Sequence, residues 1–106
     1  MELRVVSPGE NLRERQIDRI ERDLDKIAQR LKRVEDYKDV RAEVRISQDG
    51  GTTHKVCLEL HYGRNHLIAR SEHGKMAAAV REARDDILRQ INDRSRRGHS
   101  SFSKGR

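Results

Sequence analysis

The segment VRAEVRISQDGGTTHKVCLELHY, residues 40–62, decides the fold. Val40, Ala42, Val44 and Ile46 alternate with Arg41, Glu43 and Arg45, and Val56, Leu58, Leu60 and Tyr62 alternate with Lys55, Cys57, Glu59 and His61. A period of two places one set on each face of an extended strand, so both runs read as strands with one buried and one wetted face. Gln48-Asp49-Gly50-Gly51 supplies the turn between them, which makes the segment a β-hairpin.

Working outward toward the C-terminus, Gly63-Arg64-Asn65 turns the chain again and His66 to Ser71 forms a shorter third strand. Glu72-His73-Gly74 then leads into a helix whose inward residues are Met76, Ala79, Val80, Ala83, Ile87 and Ile91. Toward the N-terminus, Leu12, Ile17, Ile20, Leu24, Ile27, Leu31 and Val34 recur mostly at steps of three and four, the signature of a helix of about six turns with one apolar face. Two starts are open for it: Ser7 with Glu10, or Asn11 with Glu14, each spaced as a capping box. Leu3, Val5 and Val6 form a short edge strand cut off by Ser7, Pro8 and Gly9. The expected architecture is α+β: a two-layer β-α-β-β-β-α sandwich with a mostly antiparallel four-stranded sheet and two helices on one face.

Only 33% of the 106 residues are hydrophobic and 40% are charged, which fits one domain with a thin core. The net charge of +6 is unevenly spread. Residues 94–106 hold five of the 24 Lys and Arg and none of the 18 Asp and Glu, so the body of the chain is nearly neutral. Residues 1–94 are expected to form the folded domain, with 95–106 a basic tail that is disordered when free. A tail of this kind either reaches further RNA or acts as a plain solubilising extension. A single cysteine, no signal-like apolar start and no run approaching a membrane span point to the cytoplasm as the expected compartment.

The charges of the first helix are sorted. Arg15, Arg19, Arg22, Lys26, Arg30 and Arg33 step by three and four, which stacks them in one line read as facing away from the apolar side. Glu14, Asp18, Glu21 and Asp25 form a separate acidic line along one flank. Like charges at successive turns repel by a few tenths of a kcal/mol each, so the arrangement suits a polyanionic partner whose phosphates release counterions on binding. Flanking ion pairs, Asp18 with Arg22 and Asp23 with Lys26, are the plain alternative. Aromatic residues are confined to Tyr37, Tyr62 and Phe102, so phosphate and shape recognition is expected in place of base stacking.

Other chemistry finds little support. His54, Cys57 and His61 invite a metal reading, but strand alternation turns His54 to the face opposite Cys57 and His61. Gly50-Gly51 precedes a strand, whereas a phosphate loop precedes a helix. No cofactor, small-molecule substrate or catalytic activity is expected.

The element order, together with ARSEHGKMAAAVREARDDILRQI (Ala69 to Ile91), resembles the ribosome hibernation promoting factor and ribosome-associated inhibitor family, also called ribosomal subunit interface or sigma-factor modulation proteins. In that family the last strand enters the second helix through an acidic turn, and Met76, Ala79, Val80, Ile87, Arg89, Gln90 and Ile91 occupy matching places here. The resemblance is to the short form, without the additional C-terminal domain that pairs ribosomes. It implies a monomer that binds small-subunit ribosomal RNA in the messenger and transfer RNA channel and silences idle ribosomes as part of a stress response. Arg30 and Arg33 fall where the family is basic, as does Arg89 on the second helix. Asp86 and Asp93 replace two family-type lysines, leaving Arg81, Arg84 and Arg89 as a weakened second contact surface. Two alternatives remain. One is a stand-alone double-stranded RNA binder, suggested by Gly74-Lys75 at the second helix start. The other is a protein-interaction module working through its long helix or its edge strand.

Overall fold

The computed structural model describes residues 1–7, 12–35, 39–48 and 51–104, the side chains of 34, 35 and 95–104 aside. The elements are β1 (Glu2–Val6), α1 (Glu14–Glu35), β2 (Val40–Gln48), β3 (His54–Tyr62), β4 (Asn65–His73) and α2 (Met76–Lys104). They form a four-stranded mixed sheet in the order β1-β2-β3-β4. β2, β3 and β4 are an antiparallel meander, while β1 pairs with β2 in parallel, Leu3 opposite Ala42 and Val5 opposite Val44. The parallel pair follows from the connection, because a helix crossing the sheet returns the chain to the end where the first strand began.

The alternation in residues 40–62 becomes register. Val44 lies opposite Leu58 and Leu58 opposite Ala69, so three inward side chains line up across the sheet. Val40, Ala42, Val44, Ile46, Val56, Leu58, Leu60, Tyr62, Leu67 and Ala69 are all buried. They meet Ile20, Leu24, Ile27 and Leu31 of α1 and Ala79, Val80, Ala83, Ile87 and Ile91 of α2 in a single core. Ala79 and Ala83 are fully buried, and their small size lets α2 lie close on β3 and β4. Where Ser71 replaces an apolar residue on the inner face of β4, its hydroxyl donates to the Ala79 carbonyl at 2.5 Å and ties strand to helix. Gly63, at φ 58°, occupies the left-handed region that the tight turn between β3 and β4 demands.

α1 begins later than either sequence reading. Gln16 Oε1 accepts the Arg13 amide at 2.9 Å, and the Arg13 carbonyl accepts the Gln16 and Ile17 amides at 2.9 and 3.0 Å, so Arg13 is the cap residue. A glutamine three residues into the helix satisfies an orphan donor from the far side of the motif. Ser7 lies outside the helix, and Asn11, with the Pro8-Gly9 turn, lies outside the described residues. The same holds for Asp49 and Gly50 of the first hairpin, whose flank is closed by Gln48 Nε2 donating to the Gly51 carbonyl at 2.6 Å. β4 runs two residues beyond Ser71, to His73.

α2 also differs from expectation. Its apolar face ends at Ile91, yet the helical backbone continues to Lys104, through the segment that composition assigns to a disordered tail. Once a helix is nucleated by packing, each further residue adds a backbone hydrogen bond at little cost, so lack of periodicity alone does not end it.

Leu24, fully buried at the centre of the helix-sheet contact, tests this core. Leu24→Ala is expected to lower unfolding free energy by about 2–5 kcal/mol, read as a reduced midpoint in urea denaturation.

Candidate nucleic-acid interface

The geometry of α1 follows from its burial pattern. With Ile20, Leu24, Ile27 and Leu31 against the sheet, the basic residues at intermediate positions are carried out to solvent. Arg15, Arg19, Arg22, Lys26 and Arg33 are exposed. Among the described residues, none of the five forms an ion pair, and the expected pairs Asp18–Arg22 and Asp23–Lys26 are not formed. Glu14, Asp18, Glu21 and Asp25 are exposed on the other flank, where Asp25 accepts a hydrogen bond from Gln29 at 2.9 Å. The two lines therefore stay separate on the surface, leaving the cations available to an external anion.

Arg30 departs from the row. It is half-buried, and its Nε and Nη2 donate to Asn92 Oδ1 of α2 at 2.9 and 2.5 Å. The basic line thus does not face squarely away from the core but leans toward α2 at its C-terminal half. The reason is helical geometry: Arg30 lies three residues after buried Ile27, on the flank of the row nearest the apolar face, so its long side chain reaches the neighbouring helix.

The three α2 arginines expected at the interface have three different environments. Arg81 is exposed and unpaired among the described residues. Arg89 is exposed but donates to Asp86 one turn earlier, and Asp86 also accepts from Gln90 at 3.3 Å. Arg84 is buried between the helices. Its Nη2 lies 2.8 Å from Asp85 Oδ1, its Nε donates to the same oxygen at 2.9 Å, and its Nη1 lies 3.9 Å from Asp23 of α1. Arg84 therefore joins the two helices and is not presented to a ligand. Its spacing, four residues after Val80 and three before Ile87, already puts it on the buried face of α2, but the partner that receives it, Asp23 across the helix seam, comes only with the tertiary structure.

Sequence reasoning passed over Lys75 as part of this surface. Lys75 is exposed just before α2 and, with Gln16, Arg19, Asp23, His54 and Met76, lines a groove between the start of α2 and the first half of α1. The first turn of α2 carries no acidic residue, so the positive end of its dipole is uncompensated beside Arg19 and Lys75. That missing acid is the signal that a sequence reading could have used. Arg94 is committed elsewhere: it donates to Asn65 at 2.8 Å, while Gln90 donates to the Ile68 carbonyl at 2.9 Å, both along the free edge of β4.

The metal candidate from the sequence does not assemble. His54 turns inward with a buried Nδ1 that has no partner among the described residues, while Cys57 lies on the outer face opposite Arg45 and Arg70. No helix among the described residues is long and apolar enough to cross a membrane.

These features define a class: a small two-layer α+β domain whose distinguishing surface is an exposed cationic helix bordering an open groove. Residues 6–99 match the family model described as sigma 54 modulation protein / S30EA ribosomal protein, and the chain belongs to that family. Solved structures share the fold, among them the following two. The N-terminal domain of Protein Y from Thermus thermophilus aligns with a TM-score of 0.74 at 20% identity, covering 86% of this chain and 96% of that one. A ribosomal subunit interface protein from Coxiella burnetii aligns with a TM-score of 0.71 at 10% identity, covering 88% and 96%. No curated protein matches the chain.

The contrast between two arginines on α2 is directly measurable. Arg84→Ala is expected to cost about 1–3 kcal/mol, because it strips Asp23 of its cross-helix partner. Arg81→Ala should stay within about 0.5 kcal/mol of the parent in the same chemical denaturation series.

Proposed function

We propose that this protein is a non-enzymatic, ribosome-associated translation inhibitor of the hibernation type, which binds small-subunit ribosomal RNA in the channel used by messenger and transfer RNA and silences idle ribosomes. The observation that carries the reading is the row of Arg15, Arg19, Arg22 and Lys26, exposed and free of ion pairs among the described residues. Over roughly 16 Å of helix, four cations at successive turns offer a linear contact for a phosphate backbone, and arginine forks suit phosphate oxygens. Membership of a family described as ribosomal protein supports the same partner, as does the fold shared with a ribosomal subunit interface protein.

In this reading Arg33 continues the row at the C-terminal end of α1, and Arg81 and Lys75 contribute from the α2 side of the groove. Arg30, Arg84 and Arg89 act mainly by holding the helices and their neighbours in place. Residues 1–94 bind as a monomer in the cytoplasm, and the basic segment 95–106 reaches further RNA.

Sedimentation of the full chain with purified small subunits and whole ribosomes at moderate salt tests the proposal. The protein is expected in both fractions, and its absence from both overturns the reading. Reversing Arg15, Arg19, Arg22 and Lys26 to Glu should remove it from those fractions. Neutralising the same four positions should reduce the slope of log affinity against log salt by about 3. Equal affinity for arbitrary RNA duplexes would identify a general double-stranded RNA binder instead.

A further inference from the structure

The outer face of the sheet, opposite the helices, carries a cluster that the RNA reading does not use. His61 of β3 and His66 of β4 are direct cross-strand partners, joined through the tight turn at Gly63 and Arg64. Their rings stack with centroids 4.2 Å apart and planes 12° from parallel. Glu59 lies two residues before His61 and therefore on the same face. Its Oε2 is 3.1 Å from His66 Nε2 and 3.8 Å from His61 Nε2, so both imidazoles converge on one carboxylate oxygen. One ligand atom from each of the three residues lies within 4.8 Å of the others.

We infer that Glu59, His61 and His66 form a binding site for a divalent transition-metal ion of the zinc class. Two imidazole nitrogens and one carboxylate oxygen are a donor set that zinc accepts, with a remaining position for water. A tetrahedral ion with bonds of about 2.1 Å holds its ligands about 3.4 Å apart. The separations to Glu59 already bracket that value, and the stacked imidazoles must turn out of their near-parallel alignment to aim both nitrogens at one ion. All three side chains are between a third and a half exposed, so the ion has an open approach. Calcium and magnesium are disfavoured, since they select oxygen ligands.

The backbone is what makes the site more than a chance surface pairing. Registry between β3 and β4 is fixed by inward Leu60 opposite Leu67, immediately beside the two histidines. The donors are therefore presented from two hydrogen-bonded strands, and less ordering entropy is lost on binding than for ligands on loops. Nearby acids add favourable charge: Glu2 and Asp39 line a depression with Arg41 and His61. Arg41, opposite His61 on β2, and Arg4, which lines a depression with Glu59 and His61, work against a cation, with Glu2 opposite Arg41 and Glu43 opposite Arg4 as their acidic partners. A bound ion clamps β3 to β4 next to the Gly63 turn, on the face away from α1 and α2.

Titration of the full chain with Zn²⁺ in a non-chelating buffer, followed by calorimetry and by amide and imidazole NMR shifts, tests the site. Saturable 1:1 binding is expected, with shifts centred on Glu59, His61 and His66 and a higher thermal midpoint. His61→Asn and His66→Asn should each weaken binding by about tenfold or more and abolish the thermal shift, while Cys57→Ser leaves both unchanged. Absence of saturable binding overturns the inference, as does binding that survives the double His61→Asn, His66→Asn variant. The NMR shifts of the unmodified chain decide the matter even if a variant fails to fold. Ribosome binding enters none of these readouts, so this proposal and the functional one fail independently.

Discussion

Burial of the sheet's inner face beneath two helices is the constraint on which the rest of the molecule depends. Leu58 and Leu60 from β3, Leu24 and Ile27 from α1, and Ile87 from α2 are all inaccessible to water within one core. With only 33% hydrophobic residues, the chain commits most of its aliphatic side chains to this single layer. Apart from exposed Met1 and Ile68, the surface described is mainly polar, and its character is decided by which charges the helical and strand periods direct there. The cationic row on α1 exists because its apolar residues occupy the opposite arc of the helix.

Charge that looks alike along the chain separates into different roles once the helices meet. Arg19 and Arg22 remain at the surface without partners among the described residues, whereas Arg84 is drawn into the seam with Asp23 and Asp85. Burying a guanidinium is costly unless its donors are paired, and Asp23 and Asp85 provide that pairing. Arg30 is an intermediate case, since one hydrogen-bonding acceptor, Asn92, turns it from a ligand-facing cation into an inter-helix contact. The surface available to a polyanion is accordingly concentrated on the N-terminal two-thirds of α1 and the entrance of α2.

Much of the fold was legible beforehand because strand and helix periods are local. The inward residues of β2 and β3, from Val40 to Tyr62, follow from alternation alone, and those of both helices follow from steps of three and four. Element ends were less accessible. The start of α1 depends on Gln16 reaching back to the Arg13 amide, a use of glutamine that competes with the Ser7 and Asn11 patterns. The far end of α2 depends on helix propagation from a packed nucleus, to which composition is blind.

For this protein, the order of neighbouring residues by itself determined the elements, the apolar faces and the cationic row on α1, because each is set by contacts within a few turns of one chain segment. The tertiary structure decided which of those cations remain free and which outer-face residues meet. Asp23 and Arg84 lie 61 positions apart in sequence, and the placement of Glu59, His61 and His66 depends on strand register. Such pairings arise only when the core brings separate elements together, since side-chain partners across a helix seam or a strand pair are fixed by packing and not by proximity along the chain.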